Sequence, residues 1–149
     1  MIQRRQTIWW FLTGVLFILM IPFDWMSLVV SDGDYLFAAN GVSKAGETIV
    51  TGWPLMAYVI AMAVLNFVII GLFKKRILQS RLTMISIVMS ICFYLVILMY
   101  RYMSFEGDVV ETFMSWPLIL PLINTILGVM AFRDVLKDEA LVRSLDRLR

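Results

Sequence analysis

The chain has 149 residues, 61% of them hydrophobic, and a net charge of +2 from 13 basic and 11 acidic side chains. That apolar share exceeds the roughly 45–50% of a soluble domain. It is carried in long runs, which excludes an ordinary soluble fold and gives an integral membrane class. A single cysteine, Cys92, and no histidine exclude an internal disulfide, a thiol–histidine metal centre and the common nucleophile–base pairs.

Arg4 and Arg5 stand before an apolar stretch that resembles a signal peptide. The stretch is long for a secretory core and runs into "PFDW" with no A-x-A cleavage site, so it reads as a retained first span over 8–26. An outer loop, 27–52, follows. Its "LVVSDGDYLFAANG" reads either as a small hairpin turning at Asp32-Gly33 or as a plain irregular loop. The second span, 53–73, opens with "GWPLMAYVI", Trp anchoring the interface and Pro at the first helical position. A basic inner loop, "KKRILQSRL", leads to the third span, 82–100, and a short acidic outer loop leads to the fourth, 116–132. The fourth opens with "SWPLILPLI", in which Pro121 marks a kink position. The two WPL openings reflect either a tandem pair of helical hairpins or a convergent way to start a span.

Nothing breaks the helix after the fourth span, so it is predicted to continue into a charged tail, 133–149. Asp134–Lys137 and Glu139–Arg143 are spaced to pair along it. Leu141, Leu145 and Leu148 make a stripe that needs a partner. The predicted fold is therefore all-α: a single four-helix membrane domain, 1–149, with helix four extended by an amphipathic tail.

Charge sets the expected orientation. With both termini in the cytoplasm, eleven of the 13 basic residues fall inside, and only Lys44 and Arg101 fall outside. Seven of the 11 acidic residues divide the other way. The five tryptophans, Trp9, Trp10, Trp25, Trp53 and Trp116, all fall at span ends, where an aromatic belt is expected.

No ionisable residue lies in the middle of a span, which argues against a pump or ion-coupled transporter. No GxxxxGK[ST], HExxH or GxSxG motif is present. No catalytic residue, metal, cofactor or nucleic acid is expected. Asn66 and Asn124 are the most polar groups at depth, each expected to hydrogen-bond a neighbouring helix. Ser86/Ser90 and Ala57/Ala61 are small-xxx-small steps that allow close helix approach. Packing is the plainer role for all six; a substrate site is the alternative. Asp24 and Arg101, at the outer face, are either an ion pair or two independent interfacial groups.

Three stretches, "MIQRRQT", "FKKRILQSRL" and "KDEALVRSLDRLR", resemble a small bacterial membrane family known as domain of unknown function 4293. The resemblance implies a four-helix inner-membrane protein with both ends cytoplasmic, and it carries no activity. It places Gln3, Arg4, Gln79, Arg81, Arg143, Ser144, Asp146, Arg147 and Arg149 in the family's signature. Because these share one face, Arg4, Arg81, Arg143, Asp146, Arg147 and Arg149 form a candidate cytoplasmic interaction cluster. The functional expectation is a non-enzymatic accessory or scaffold subunit of the inner membrane. Its partners are the lipid bilayer and either another protein or a second copy. The alternative is a small transporter or channel component acting as an oligomer.

Overall fold

The computed structural model describes residues 5–30, 33–73, 75–104 and 109–146. Its first helix, α1 (Arg5–Leu19), is 15 residues long, about 22 Å at 1.5 Å per residue. It stops short because Pro22 bars the residue before it from helical backbone. The chain turns and enters strand β1 (Asp24–Val30). The span expected over 8–26 is thus a helix followed by a strand. Trp25, Met26 and Leu28 of β1 are all buried, so strand and helix merge in any sum of hydropathy.

Strands β2 (Gly33–Ala38), β3 (Gly41–Lys44) and β4 (Glu47–Thr51) follow. The β1–β2 hairpin expected around Asp32-Gly33 forms, with Val30 opposite Gly33; residues 31–32 lie outside those described. The β3–β4 turn uses Ala45 and Gly46, both at positive φ, 51° and 90°, as a tight hairpin turn requires. At the start of β3, Gly41 sits at φ 123°, and a Cβ there would collide with the Val50 carbonyl oxygen of β4. Only glycine lets these two backbones approach so closely.

Helix α2 (Trp53–Gly71) joins α3 (Arg76–Ser104) through a short connection, since most of the "KKRILQSRL" segment is already helical. Strand β5 (Val109–Met114) then pairs with β1, Leu28 standing opposite Thr112. A 3-10 turn over Trp116–Ile119 opens into α4 (Leu120–Asp146), with Pro121 harmless in its first turn. Helix α4 does continue unbroken into the charged segment, as the missing breakers predict.

The all-α expectation is therefore wrong. Among the described residues there are four helices and one five-stranded antiparallel sheet in the order β4-β3-β2-β1-β5. Both interhelical loops assigned to the outer face contribute strands to that one sheet. It lies across the ends of the helices from which its strands emerge. A bulge at Trp25 turns that indole inward, where its ring packs edge-on at 5.3 Å from Phe93. Phe37, Val42 and Leu28 from the sheet and Phe17, Leu55, Val59 and Ile97 from the helices complete this core. A second, smaller cluster of Trp10, Ile69, Ala131 and Val135 closes the far end.

Helix α1 packs on α2 and α4, and α3 packs on α4 and more lightly on α2. Their outward faces are apolar, with Phe11, Val64, Ile91, Leu95 and Ile126 all exposed. Helices α2, α3 and α4 are long and apolar enough to cross a membrane, while α1 is shorter than a span. Such a surface is stable against lipid. The tryptophan belt is partial: Trp53 and Trp116 are exposed at the sheet end, but Trp10 and Trp25 are wholly buried.

Candidate functional site: a polar interior and a basic groove

Helix α3 carries Gln79, Thr83, Ser86 and Ser90 on one buried face. Their spacing of four, three and four residues keeps them aligned on a 3.6-residue turn. Thr83 donates to the Gln79 carbonyl at 2.8 Å and Ser90 to the Ser86 carbonyl at 2.9 Å. Gln79 Nε2 donates across to the Ile69 carbonyl at 3.1 Å, fastening α3 to the end of α2.

Asn66 organises the centre. Its Oδ1 accepts from Thr13 Oγ1 at 3.0 Å and from Ser86 Oγ at 3.2 Å, while Nδ2 donates to the Met62 carbonyl at 2.8 Å. One amide oxygen thereby joins α1, α2 and α3. The expectation that Asn66 bonds neighbouring helices holds.

Asn124 behaves differently. It is 2% exposed, yet neither its Oδ1 nor its Nδ2 has a partner among the described residues. Gln6 Oε1 and Trp10 Nε1, on the inner face of α1, share this condition. The α2/α3 side of the interior is thus internally satisfied, while α1 and α4 contribute the unpaired polar atoms. All the buried polar side chains described are neutral, so this interior can offer hydrogen bonds but no fixed charge.

Of the two small-residue steps, Ser86/Ser90 faces inward and Ala57/Ala61 faces out. Two glycines also mark close helix approaches. A Cβ on Gly128 would fall 2.8 Å from Ile87 Cγ1, and one on Gly14 would fall 2.9 Å from the Phe67 ring.

At the sheet end, Arg101 Nη2 donates to Thr112 Oγ1 at 3.0 Å, tying α3 to β5. Asp24 is exposed at the start of β1, and among the described residues no ion pair joins it to Arg101. Tyr94 donates to the Leu118 carbonyl at 2.6 Å, and Tyr100 donates to that of Thr51. These hydroxyls stitch α3 to the two segments that start α4 and α2.

At the far end, Trp9 Nε1 donates to Asp134 Oδ2 at 3.2 Å and Arg76 Nη1 donates to the Asp138 carbonyl at 3.3 Å. Helix α4 is held there by both α1 and α3. A groove of about 230 Å³ opens beside these contacts, lined by Met130, Arg133, Asp134 and Lys137. Of the proposed interaction cluster, Arg81 is exposed on α3. Arg4, Arg147, Arg149 and the side chains of Arg143 and Asp146 lie outside the described residues.

Sequence reasoning singled out Asn66, Asn124, Ser86 and Ser90, but missed Thr13, Gln6 and the burial of Gln79. The α3 stripe was the available signal: four polar residues at helical spacing in an apolar segment. Nothing local marks Asp134 as a partner of Trp9, 125 residues away.

Comparison with known proteins gives one finding. Residues 2–148 match the family model described as domain of unknown function (DUF4293). No curated protein and no solved structure matches.

Proposed function

We propose that this chain, which belongs to the family of domain of unknown function DUF4293, is a non-enzymatic accessory or scaffold subunit of the bacterial inner membrane. In this reading the protein is multi-pass, both ends are cytoplasmic, the sheet lies outside, and partners dock on the inner end of α4. The observation that carries it is the continuity of α4. One helix, Leu120–Asp146, runs from its apolar segment into the charged one, where Trp9 and Arg76 brace it. A helix braced on two sides presents its remaining turns with little ordering left to lose on binding. The one-sided distribution of basic residues supports the orientation.

Site-specific photo-crosslinking in native membranes tests the docking. A crosslinker at Ala140 is expected to capture a discrete partner, while one at Ile49 on the sheet is not. Capture from Ile49 alone moves the docking face to the sheet. A fluorescent reporter fused after Arg149 is expected to mature in the cytoplasm; a silent one inverts the layout.

A second reading, a small transporter or channel component acting as an oligomer, is favoured by one observation. The buried Asn124 amide and the α3 stripe offer hydrogen bonds inside the helices. Asn124→Leu separates the two readings. A scaffold keeps its crosslinks through this change, whereas a conduit loses solute flux.

A further inference from the structure

We infer that the groove on α4 is a binding site for the phosphodiester headgroup of an anionic phospholipid. The outward face of α4 is apolar through Leu122, Ile126, Val129 and Met130 and turns basic at Arg133 and Lys137, both exposed. Met130 and Lys137 are seven residues apart, about 10 Å along the axis. Met130, Arg133 and Lys137 all line the groove, with Asp134 as the fourth lining residue.

The fate of Asp134 makes this a site and not an ordinary snorkelling pair. By spacing, Asp134 should neutralise Lys137 three residues on. The Trp9 indole donates to Asp134 Oδ2, which draws the carboxylate toward α1 while its charge remains. Among the described residues, neither Arg133 nor Lys137 forms an ion pair. Two like charges one turn apart repel each other, and an anion between them relieves the repulsion. Arg76 adds a third cation beside the same turn, its guanidinium on the Asp138 carbonyl. Basic pockets at the ends of membrane helices bind anionic headgroups, through charge and through paired N–H donors. A phosphate held by the Arg133 guanidinium and the Lys137 ammonium, with its chain along Met130, uses three of the four lining groups, and the fourth, Asp134, is bonded to Trp9. This reading holds whichever leaflet the groove faces, so it stands apart from the docking proposal.

Native mass spectrometry of the full chain in detergent tests it, with equal amounts of phosphatidylglycerol and phosphatidylcholine as probes. The wild-type chain is expected to retain phosphatidylglycerol preferentially. Arg133→Gln with Lys137→Gln should cut that preference at least about fivefold, the worth of one interfacial cation. Lys44→Gln, which removes a cation from the sheet, should leave it within about twofold, since less than one cation's worth is lost. Trp9→Phe keeps both cations but frees Asp134 to pair with Lys137, and should also lower the preference. A preference unchanged in the double variant overturns the site, as does an equal loss with Lys44→Gln. Displacement of the lipid by millimolar inorganic phosphate overturns the headgroup assignment in favour of a free-anion site. If the double variant fails to melt cooperatively, Lys137→Gln against Lys137→Arg carries the test: loss in the first and retention in the second are required.

Discussion

Asn66 and Asn124 are the same side chain in the same kind of place, and their surroundings give them opposite energetic signs. Asn66 has its amide spent on three partners, two of them on other helices. Interhelical hydrogen bonds of this kind contribute about 0.6 kcal/mol on average and up to roughly 2. Asn124 carries the desolvation cost of an amide, about 1–3 kcal/mol, with no bond among the described residues to offset it. Replacement by leucine, which has the same branching and the same number of heavy atoms, should therefore destabilise at position 66 and stabilise at position 124. Thermal unfolding in detergent is expected to show a lower midpoint for Asn66→Leu and a higher one for Asn124→Leu, each by the equivalent of about 1 kcal/mol. A matched fall at both positions means that Asn124 is also bonded. Both asparagines were visible in the sequence as the polar groups at depth. Their difference was not, because it depends on what faces each residue from another helix.

Among the elements, two glycines set limits of different kinds. At Gly128 the obstacle is the Ile87 side chain. Gly128→Ala is expected to cost about 1–3 kcal/mol, as overpacking does, and Ile87→Ala, which removes the Cγ1 that the new Cβ would meet, should recover part of it. At Gly41 the obstacle is backbone and φ is positive, so no side-chain change nearby should rescue Gly41→Ala. Circular dichroism melts of the two single variants and the Gly128/Ile87 pair check the contrast. The helices themselves were legible: α2, α3 and α4 lie where hydropathy places them, and the unbroken tail of α4 follows from its missing breakers. The strands were harder. β1 is as apolar as the helix before it, because its inner face is core, and six-residue β5 is too short to declare a period. The bulge that sinks Trp25 defeats the belt reading for the same reason. A tryptophan near a span end is interfacial only if nothing covers it.

For the molecule as a whole, the defining feature is that the two loops assigned to the outer face share one sheet. Each half of the chain runs helix, strand, WPL and helix, with Leu55 and Leu118 buried alike and Trp53 and Trp116 exposed alike. The halves are sewn together where β1 meets β5. Val29 stands opposite Glu111 across that seam. In a Cys92→Ala background, Val29→Cys with Glu111→Cys is expected to form a disulfide under mild oxidation, read as a mobility shift without reductant. Absence of the crosslink would mean that the loops stay separate. Hydropathy could not reveal this seam, because pairing between strands some 80 residues apart leaves no trace in either segment alone. Asp24 and Arg101, readable in the sequence as a pair or as two independent groups, form no ion pair among the described residues, and Arg101 bonds Thr112 of β5.

The pairing of β1 with β5 also orders events during synthesis. When only the amino-terminal half has been made, β1 can have β2 on one flank, but its other flank is a bare row of amides and carbonyls. That row stays open until α3 has been made and β5 has followed it. The amino-terminal half must therefore wait, with a sticky border uncovered, for the carboxy-terminal half to arrive and close it.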